Sequence, residues 1–280
     1  MLVSIVTPSF RNSDWLKLCI ASVADQEGVD FEHIVQDSCS DDGTQEWLPN
    51  DKRVTAYIEK DNGMYDAVNR GFRRSKGDIL AYLNCDEQYL PGALKAVHDY
   101  FEAHPEIDVV LSDTLIVDPQ GEYICHRYSL TPLKHHLWYR FPVLTCALFI
   151  RRRVLDGMGV YFDTKWRDLG DMFWVMELLN HGARFGVMRS FTSVFTETGE
   201  NMNLKPNAIR EKQVKREMTP AWIRLIPGVI LLHHKLRLLA SGVYFQKPFD
   251  YSLYMLTSSG KRVLHHVAKP TALWRGRLAS

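Results

Sequence analysis

The stretch that decides the fold is Gly77 to Pro91, GDILAYLNCDEQYLP, in which an apolar run ends abruptly in two adjacent acids. Residues 79–83 are continuously apolar and bounded by turn-forming residues, a pattern that predicts a short strand buried on both faces. Asp86 and Glu87 follow the carboxyl end of that strand. Ligands bind at this edge in open α/β sheets, and two neighbouring carboxylates there favour a hard cation such as Mg²⁺ or Mn²⁺. A solvated acidic turn is the alternative, because acids are common in turns.

Short apolar runs alternate with amphipathic helical segments on both sides of this stretch. The run Leu2 to Val6 predicts a first strand, which the turn-forming Thr7-Pro8-Ser9 is expected to end. Further strands are predicted at Phe31 to Gln36, Arg53 to Glu59 and Ile107 to Leu111, and a helix at Met64 to Arg74. This alternation predicts an α/β fold with a mostly parallel central sheet and helices on both faces.

The charges divide the chain into two parts of opposite sign. Residues 1–204 contain 20 lysines and arginines against 30 acids, a net charge of −10, whereas residues 205–280 contain 14 against 3, a net charge of +11. The length of 280 residues suffices for one large α/β domain with an extension. We therefore expect a domain over 1–204 and a basic, amphipathic helical extension over 205–280 that meets an anionic partner.

The five cysteines indicate a reducing compartment. They are widely spaced and include no C-x-x-C pair, so neither a disulfide framework nor a zinc knuckle is predicted. The first ten residues lack a charged segment and turn polar by Thr7, which is unlike a signal peptide. No run of 18 consecutive apolar residues occurs. These observations predict a cytoplasmic protein without a spanning helix.

The basic tail carries an apolar stripe at helical spacing, after a predicted helix that Asn207 caps. Basic residues border the stripe, as is typical of a peripheral helix on an anionic membrane. Packing on the domain or on a second subunit, in a homo-oligomer, is the alternative. Nucleic acid is disfavoured as a partner, because the tail has no RNA-binding motif and the acidic domain repels phosphate. The stripe comprises Trp222, Leu225, Ile226, Val229, Leu232, Leu236 and Leu239.

Four motifs occur in an order that resembles one known family. They are Ser4-Ile5-Val6-Thr7-Pro8-Ser9-Phe10, Asp37-x-x-Ser40-x-Asp42-Gly43-Thr44, Asp61-x-Gly63-x-Tyr65-Asp66-Ala67-x-Asn69-x-Gly71 and Leu83-Asn84-x-Asp86. Over about residues 1–200 they resemble glycosyltransferase family 2, and in particular its bacterial polysaccharide-biosynthesis members. The resemblance implies the GT-A fold, a single α/β domain that binds a nucleotide-diphospho-sugar.

The resemblance also implies where the donor binds. In the family, the loop of the first strand and the acid after the second line the base and the ribose, which corresponds here to Thr7, Pro8, Ser9 and Asp37. An aspartate there accepts a hydrogen bond from uracil N3–H, so a UDP-sugar is the expected donor. The other donor-binding residues implied are Asp61, Asn69, Arg70 and Asn84. For Arg70 a solvated basic helix face is the alternative.

Asp86 matches the position of the family's metal-binding aspartate. The family commonly has two aspartates there, or Asp-x-Asp, whereas this chain reads Asn84-Cys85-Asp86-Glu87. A Mn²⁺ or Mg²⁺ ion at Asp86 would act as a Lewis acid on the departing diphosphate. Glu87 stands where a second aspartate is usual, and its longer side chain leaves open whether it binds the metal.

A second acidic segment resembles the place where the family opens a helix with its catalytic base. Asp171 precedes an apolar helical pattern over 172–179 and matches best, and Asp168 is the other candidate. In an inverting transfer a carboxylate here takes the proton of the acceptor hydroxyl as that oxygen attacks C1. Helix capping is the alternative role for Asp171, because aspartate is a preferred N-cap residue.

The function expected from the resemblance and the basic tail is that of an inverting, metal-dependent hexosyltransferase at the cytoplasmic face of a membrane. Its acceptor would be a saccharide or lipid-linked glycan in surface polysaccharide or lipopolysaccharide synthesis. A non-catalytic nucleotide-sugar-binding or scaffold protein on the same fold is the alternative that Glu87 leaves open. The pairs His135-His136, His233-His234 and His265-His266 are not expected to bind metal, because adjacent side chains on a helix point about 100° apart.

Overall fold

A computed structural model describes residues 1–198, 206–258 and 260–274 of the chain. Its strands are β1 (Val3–Ser9), β2 (Phe31–Asp37), β3 (Thr55–Ile58), β4 (Ile79–Tyr82), β5 (Glu87–Tyr89), β6 (Val109–Val117), β7 (Tyr123–Arg127), β8 (Leu148–Arg151), β9 (Phe185–Thr196), β10 (Phe249–Tyr254) and β11 (Arg262–Val267). The first nine form one sheet in the order β3-β2-β1-β4-β8-β6-β9-β5, with β7 paired to β6. The last two form a separate ribbon.

The first half of the sheet is parallel and buried. Strand β1 pairs in parallel with β2 on one side and β4 on the other, and β2 pairs in parallel with β3. Every residue of β1 and β4 is buried, as expected for strands covered on both faces. Asp86 and Glu87 follow β4 at the carboxyl edge of this parallel half.

The first strand is longer than predicted. The expectation that residues 7–9 end the strand is wrong, since they continue β1 and pair with residues 35–37 of β2. Pairing of β1 with β4 stops where Val6 lies opposite Tyr82, so beyond that point β1 has a neighbour on one side only. Pro8 is tolerated there because a strand without a partner on one side needs no N–H donor on that side.

The second half of the sheet is mixed. Strand β8 joins the halves and is antiparallel to both β4 and β6. Strand β6 is parallel to β9 and antiparallel to β7, and β5 pairs antiparallel with β9 at the edge. The predicted α/β class is confirmed, with the parallel pairing concentrated in the first four strands of the order.

Helices cover both faces of the sheet, as predicted. Those on one face pack Phe72 and Trp174 into the core, and those on the other pack Val23 and Leu94. Alternate residues of β1 enter the two clusters, because successive side chains of a strand point to opposite faces. The α-helices of the described chain are α1 (Ser13–Ala24), α2 (Thr44–Trp47), α3 (Met64–Arg74), α4 (Ala93–Ala103), α5 (Lys134–Tyr139), α6 (Arg152–Met158), α7 (Gly170–Asn180), α8 (Pro206–Met218), α9 (Ala221–Leu225) and α10 (Pro227–Ala240).

The tail is helical only in its first part. Helices α8 to α10 match the helical prediction, but residues 249–267 contain the β10–β11 ribbon instead. The ribbon packs Tyr251 and Leu253 against Leu115 and Val194 of the main sheet, because alternate residues of β10 are apolar. The predicted boundary between 204 and 205 lies outside the described residues.

The apolar stripe of the tail faces outward. All seven of its residues are exposed, from 40% at Ile226 to 81% at Leu225, while α10 buries Ile230 and His234. Much of the stripe is therefore left uncovered by the described part of the domain, and the Trp222 ring lies beside the His135 ring, with the ring centroids 6.3 Å apart. None of the helices in the described ranges combines the length and apolar character needed to cross a bilayer.

Candidate active site

Asp86 and Glu87 take different positions after β4. Glu87 is buried, and its Oε2 accepts a hydrogen bond from the Asn84 N–H at 2.8 Å. Asp86 is less enclosed and forms no ion pair with any described residue. Burial raises the pKa of both carboxyls, and the charge of Asp86 raises the pKa of Glu87 further. The fold thus holds two like charges side by side.

This pair fits a hard divalent cation. Burial and mutual repulsion disfavour the ionised carboxylates, and a nearby double positive charge would relieve both effects. Carboxylate oxygens are also the ligands that Mg²⁺ and Mn²⁺ prefer. Asp86 is the better placed ligand, because Glu87 is bonded to the backbone of Asn84 and lies against Cys146.

Ser9 and Asp37 end β1 and β2 at the same edge of the sheet. The Ser9 Oγ is buried and has no hydrogen-bond partner among the described residues, a state that favours a polar ligand. Asp37 is buried and accepts hydrogen bonds from the N–H and hydroxyl of Ser40 at 2.8 and 2.6 Å. Beside the loops that follow these strands, a cleft of about 510 Å³ is lined by Arg11 and Asp42, among others.

Thr7, Pro8 and Asp61 have partners within the protein. Thr7 and Pro8 are buried in β1, and the Thr7 hydroxyl bonds His33 Nε2 at 2.8 Å. Asp61 is partly exposed, and its Oδ1 accepts a hydrogen bond from the Gly63 N–H at 2.8 Å. Thr7 and Pro8 therefore have structural roles within β1, and Asp61 stabilises the turn that leads into α3.

Asn69 and Arg70 hold α3 against its neighbours. The Asn69 amide donates to the Phe162 carbonyl at 2.8 Å and accepts from the Phe162 N–H at 3.0 Å. Arg70 forms ion pairs with Glu59 at 3.1 Å and Asp66 at 2.8 Å. Asn69 thereby ties the first half of the site to the segment before α7. A direct contact of either residue with the donor stays a prediction.

Asp171 lies in the first turn of α7, two residues after the N-cap position, which is Leu169. Its N–H donates to the Tyr65 hydroxyl at 3.1 Å, and its Oδ1 accepts from the Met172 N–H at 2.7 Å. Burial raises the pKa of Asp171 to about 7, although the Met172 N–H and the charge of Lys215 act in the opposite direction. A carboxyl with such a pKa suits general-base catalysis at neutral pH.

Tyr82, the last residue of β4, connects the acidic groups. Burial raises the pKa of its hydroxyl well above the usual value, and the charges of Asp171 and Glu87 raise it further. Both carboxyls therefore lie near the same buried phenol. Asp86 precedes Glu87 directly in the chain. We call Asp86, Glu87 and Asp171 together the acidic edge.

Glu211 on α8 is a residue of the site that the motifs did not reveal. Its carboxylate is buried and accepts hydrogen bonds from the N–H groups of residues 167–169 at 2.8, 3.0 and 2.9 Å. Burial alone would raise the pKa of Glu211, but these donors and Asn207 lower it on balance. Asp168 accepts a further hydrogen bond from Asn207 at 2.6 Å. Glu211 and Asp168 thus fix the loop that leads to Asp171.

The basic tail therefore contributes to the acidic edge. Lys215 lies one helical turn after Glu211, and its charge lowers the pKa of Asp171. The sequence held a weak signal for this contact, because Glu211 is one of only 3 acids in a tail with 14 basic residues. Nothing in the spacing indicated which surface α8 would contact.

Three histidines meet between α5 and α10. One nitrogen from each of His135, His136 and His233 lies within 4.8 Å of the others. The cluster combines residues from two helices, so the angle of about 100° between adjacent side chains of one helix does not keep its nitrogens apart.

Comparison with known proteins shows what the chain is similar to. The family model described as glycosyl transferase family 2 matches residues 4–157. TuaG of Bacillus subtilis, named for teichuronic acid biosynthesis, is 34% identical over 93 residues, or 31% of this chain and 37% of the relative. A PGL/p-HBAD biosynthesis glycosyltransferase of Mycobacterium bovis is 27% identical over 176 residues, or 61% of this chain and 66% of the relative. The chain thus spans less than two thirds of either relative.

Solved structures share the architecture. TarS 1–349 of S. aureus, in complex with UDP-GlcNAc, superposes with a TM-score of 0.59 at 17% identity, over 77% of this chain and 66% of that one. The mannosyltransferase PcManGT of Pyrobaculum calidifontis, in complex with GDP-Man and Mn²⁺, gives a TM-score of 0.53 at 16% identity, over 86% of this chain and 74% of that one. These likenesses show the fold. Since the family model matches more than half of the sequence, the chain belongs to glycosyltransferase family 2.

Proposed function

We propose that this protein is an inverting glycosyltransferase that moves a sugar from a nucleotide-diphosphate sugar to a hydroxyl of a saccharide or lipid-linked glycan. The observation that carries the proposal is the acidic edge, where Asp86 and Glu87 follow β4 at the carboxyl edge of the parallel strands and Asp171 lies in the first turn of α7 with its N–H bonded to Tyr65 of α3. Relatives named for teichuronic acid and PGL/p-HBAD biosynthesis support a place in cell-surface glycan synthesis, with surface polysaccharide or lipopolysaccharide as the product class.

The donor half of the site is formed by the ends of β1, β2 and β4. Ser9 has a free hydroxyl for the nucleotide and Asp37 a carboxylate beside it, and we keep a UDP-sugar as the expected donor. Asp86, with Glu87 behind it, would hold Mn²⁺ or Mg²⁺. When bound, the cation would neutralise charge that develops on the diphosphate. The structurally similar mannosyltransferase solved with Mn²⁺ supports this assignment.

The acceptor half centres on Asp171. Its carboxylate would take the proton of the acceptor hydroxyl while that oxygen forms a bond to C1 and the C1–O bond to the diphosphate breaks on the opposite face. Tyr65 and Glu211 orient Asp171 through its own N–H and through the preceding loop. Attack opposite to the leaving group inverts the anomeric centre.

The test of the donor site is calorimetric titration of UDP and of GDP with and without Mn²⁺. We expect Mn²⁺-dependent binding of UDP, its loss in Asp86→Asn, and its retention in Asp99→Asn, an exposed change on α4. Failure of both nucleotides to bind under either condition would refute the nucleotide-sugar proposal. Binding of UDP without turnover of any UDP-sugar would favour the non-catalytic alternative.

We also propose an anionic membrane surface as the partner of the apolar stripe. Its seven residues are exposed, and residues 218–249 contain four basic residues and no acid. A contiguous apolar face with a basic border is typical of helices that lie in a membrane interface. The cytoplasmic location and the homo-oligomer stay predictions.

Sedimentation with vesicles tests this partner. We expect salt-sensitive binding to phosphatidylglycerol vesicles, weaker binding to phosphatidylcholine, and loss of binding in Leu225→Ser/Leu232→Ser. Leu264→Ser is the control, because Leu264 is 72% exposed but lies on β11. Concentration-dependent dimerisation that the double variant abolishes, without vesicle binding, would assign the stripe to a second copy instead.

A further inference from the structure

Three arginines from the ends of β7, α5 and α10 lie close enough to His234 for their charges to add to burial in lowering its pKa. Arg127 ends β7, Arg140 follows α5, and Arg237 lies in the last turn of α10. None of the three forms an ion pair with a carboxylate of the described residues. Burial and the charge of Arg140 lower the pKa of Arg127, and burial lowers the pKa of Arg237.

Several arginines elsewhere in the described chain pair with an acid. Arg262 pairs with Asp25 at 2.5 Å, and Arg189 pairs with Asp113 at 2.6 Å. The pKa of Arg53 is raised, because it bonds Asp51. Within the described chain Arg151 and Arg152 have no acid partner either, but they donate to the Phe101 and Gly77 carbonyls. Arg127 is partly buried and has neither an acid nor a hydrogen-bond acceptor for its side chain among the described residues, and a poorly solvated charge without a partner is costly.

His234 adds an unsatisfied group to the same place. It is 5% exposed, and its Nε2 has no hydrogen-bond partner among the described residues. Burial lowers the pKa of His234 to about 4, and the charges of Arg140 and Arg127 act in the same direction. Buried ring nitrogens are normally hydrogen-bonded, so this position suits an oxygen that the described protein does not supply. We call Arg127, Arg140, Arg237 and His234 the basic junction.

The junction suits an anion rather than a metal ion, even though three imidazoles adjoin it. An arginine can only donate, so His136 Nδ1 accepts from Arg237 at 3.4 Å and the His136 proton lies on Nε2, toward His233 Nδ1 at 3.2 Å. These nitrogens are thus engaged within the protein. The adjacent guanidinium would also repel a cation.

We propose that Arg127, Arg140 and His234 form a binding site for the phosphate group of a lipid. Guanidinium groups bind phosphate through charge-assisted hydrogen bonds, and the His234 nitrogen would complete the set. The lipid part of the proposal follows from Tyr244, which acts on Arg127 and is 47% exposed, and from Phe245, which is 73% exposed. Both rings are exposed and follow α10, the helix that carries part of the apolar stripe, so an alkyl chain attached to the phosphate would have apolar surface to contact.

This proposal depends on the proposed membrane contact in one respect only, which is that the phosphate belongs to a lipid. The test is thermal unfolding in phosphate-free buffer, with added inorganic phosphate or dodecyl phosphate and chloride at matched ionic strength. We expect both phosphates to raise the Tm of the wild type, and dodecyl phosphate to act at lower concentration. In Arg127→Met the phosphate affinity should fall about tenfold, while Arg153→Met, which alters an arginine paired with Asp108, should leave it unchanged.

The Tm measured without phosphate distinguishes a residue that binds the ligand from one that only stabilises the fold. In phosphate-free buffer, Arg127→Met should unfold at the wild-type temperature or above, because it removes an uncompensated charge. A lower Tm there, or an equal response of Arg127→Met to phosphate, would overturn the site. Equal affinity for inorganic and dodecyl phosphate would overturn the lipid assignment. Stabilisation by Zn²⁺ but not by phosphate would overturn the site in favour of a metal at the imidazoles. No vesicles are used, so the result is independent of the membrane and donor tests.

Discussion

The acidic edge and the basic junction are electrostatic opposites built in the same way. At the acidic edge, burial raises the pKa of Asp171 to about 7. At the basic junction, burial and neighbouring arginines lower the pKa of His234 to about 4. In both places the fold gathers groups of one sign and disfavours their charged forms.

Charged groups that pair with an opposite charge inside the protein stabilise the fold, whereas charged groups without such a partner are available to bind ligands. Arg262 and Asp25 lie together as opposite charges and compensate each other, so nothing further is required there. In the two like-charged regions no ion pair of this kind forms within the described chain, although the charge of Lys215 acts on Asp171. Perturbed groups of this kind are concentrated at functional sites. The acidic edge should therefore respond to cations and the basic junction to anions.

The largest effect is expected from Asp171→Asn, which keeps the shape of the acidic edge and removes its base. The turnover number should fall by about 10²–10⁴-fold, because proton transfer from the acceptor is lost. Affinity for UDP should stay unchanged. Steady-state kinetics and calorimetry measure the two quantities, and Asp163→Asn, at an exposed acid before α7, is the control. A variant that keeps its turnover number would transfer the role of base to another residue.

The pH dependence of the wild type sharpens the same point. With the pKa of Asp171 at about 7, the turnover number should rise with pH through about 7 as the base ionises. The free energy of unfolding should fall over the same rise in pH. Because the folded pKa lies above the unfolded value of about 3.9, this carboxyl favours folding most at low pH, and its contribution is lost as pH rises through 7. Asp171→Asn should therefore have the higher Tm at pH 8.

Next in size is the stabilisation of the acidic edge by a cation. At 100 times its Kd, Mn²⁺ should add about 2.7 kcal/mol to the unfolding free energy of the wild type. Asp86→Asn should lose this response, and a chelator should reverse it in the wild type. The check is thermal unfolding with Mn²⁺ and EDTA. Equal stabilisation of both proteins would place the cation elsewhere.

Glu211 tests whether the basic tail supports the acidic edge. Glu211→Ala leaves three backbone N–H groups without their acceptor and should cost roughly 2 kcal/mol of stability. It should also lower the turnover number, because the loop before Asp171 loosens. The folded pKa of Glu211 is depressed, so its contribution is present above the unfolded pKa of about 4.3 and is lost as pH falls through the folded value.

The control for this change lies on the same helix. Glu217→Ala removes an exposed acid of α8 that bonds only Gln213 among the described residues, so it should change stability by no more than about 0.5 kcal/mol. Chemical denaturation at pH 7 and pH 4 compares the two variants. Equal losses in both would show that the carboxylate of Glu211 has no particular role.

Much of the fold could be predicted from local patterns, and the errors have physical causes. The helix over residues 64–74 and the apolar strand before Asp86 were recognisable, because each has a clear period or an uninterrupted apolar run. Strand β9 (Phe185–Thr196) was not predicted, since its pairing with β6 and β5 depends on residues far away in sequence. The extension of β1 past Pro8 depends on where β4 ends, which no local pattern contains.

The candidate site was also predictable from the sequence only in part. The motifs brought Asp86, Glu87 and Asp171 to attention, and the charges of Glu87 and Asp171 both act on the buried Tyr82. The basic stripe was visible in the sequence, but its outward direction was not, because a helical period does not say which side is covered. Glu211 and Arg127 were missed, since the groups that give them their roles are distant in sequence: residues 167–169 for Glu211 and His234 for Arg127.

The smallest effect is expected from Gly170→Ala, which alters the geometry of the acidic edge and leaves its charges intact. A Cβ at Gly170 would lie 2.4 Å from the Tyr65 ring, so the ring or the start of α7 must shift, at a cost of roughly 1–2 kcal/mol. The Tyr65 hydroxyl, which accepts from the Asp171 N–H, would move with it and lower the turnover number more than the affinity for UDP. Gly157→Ala is the matched control, because a Cβ there meets open space on α6 and should stabilise the helix by about 0.5–1 kcal/mol. If Gly170→Ala lowers stability but leaves the turnover number unchanged, the position of Asp171 depends on the loop held by Glu211 and not on Tyr65.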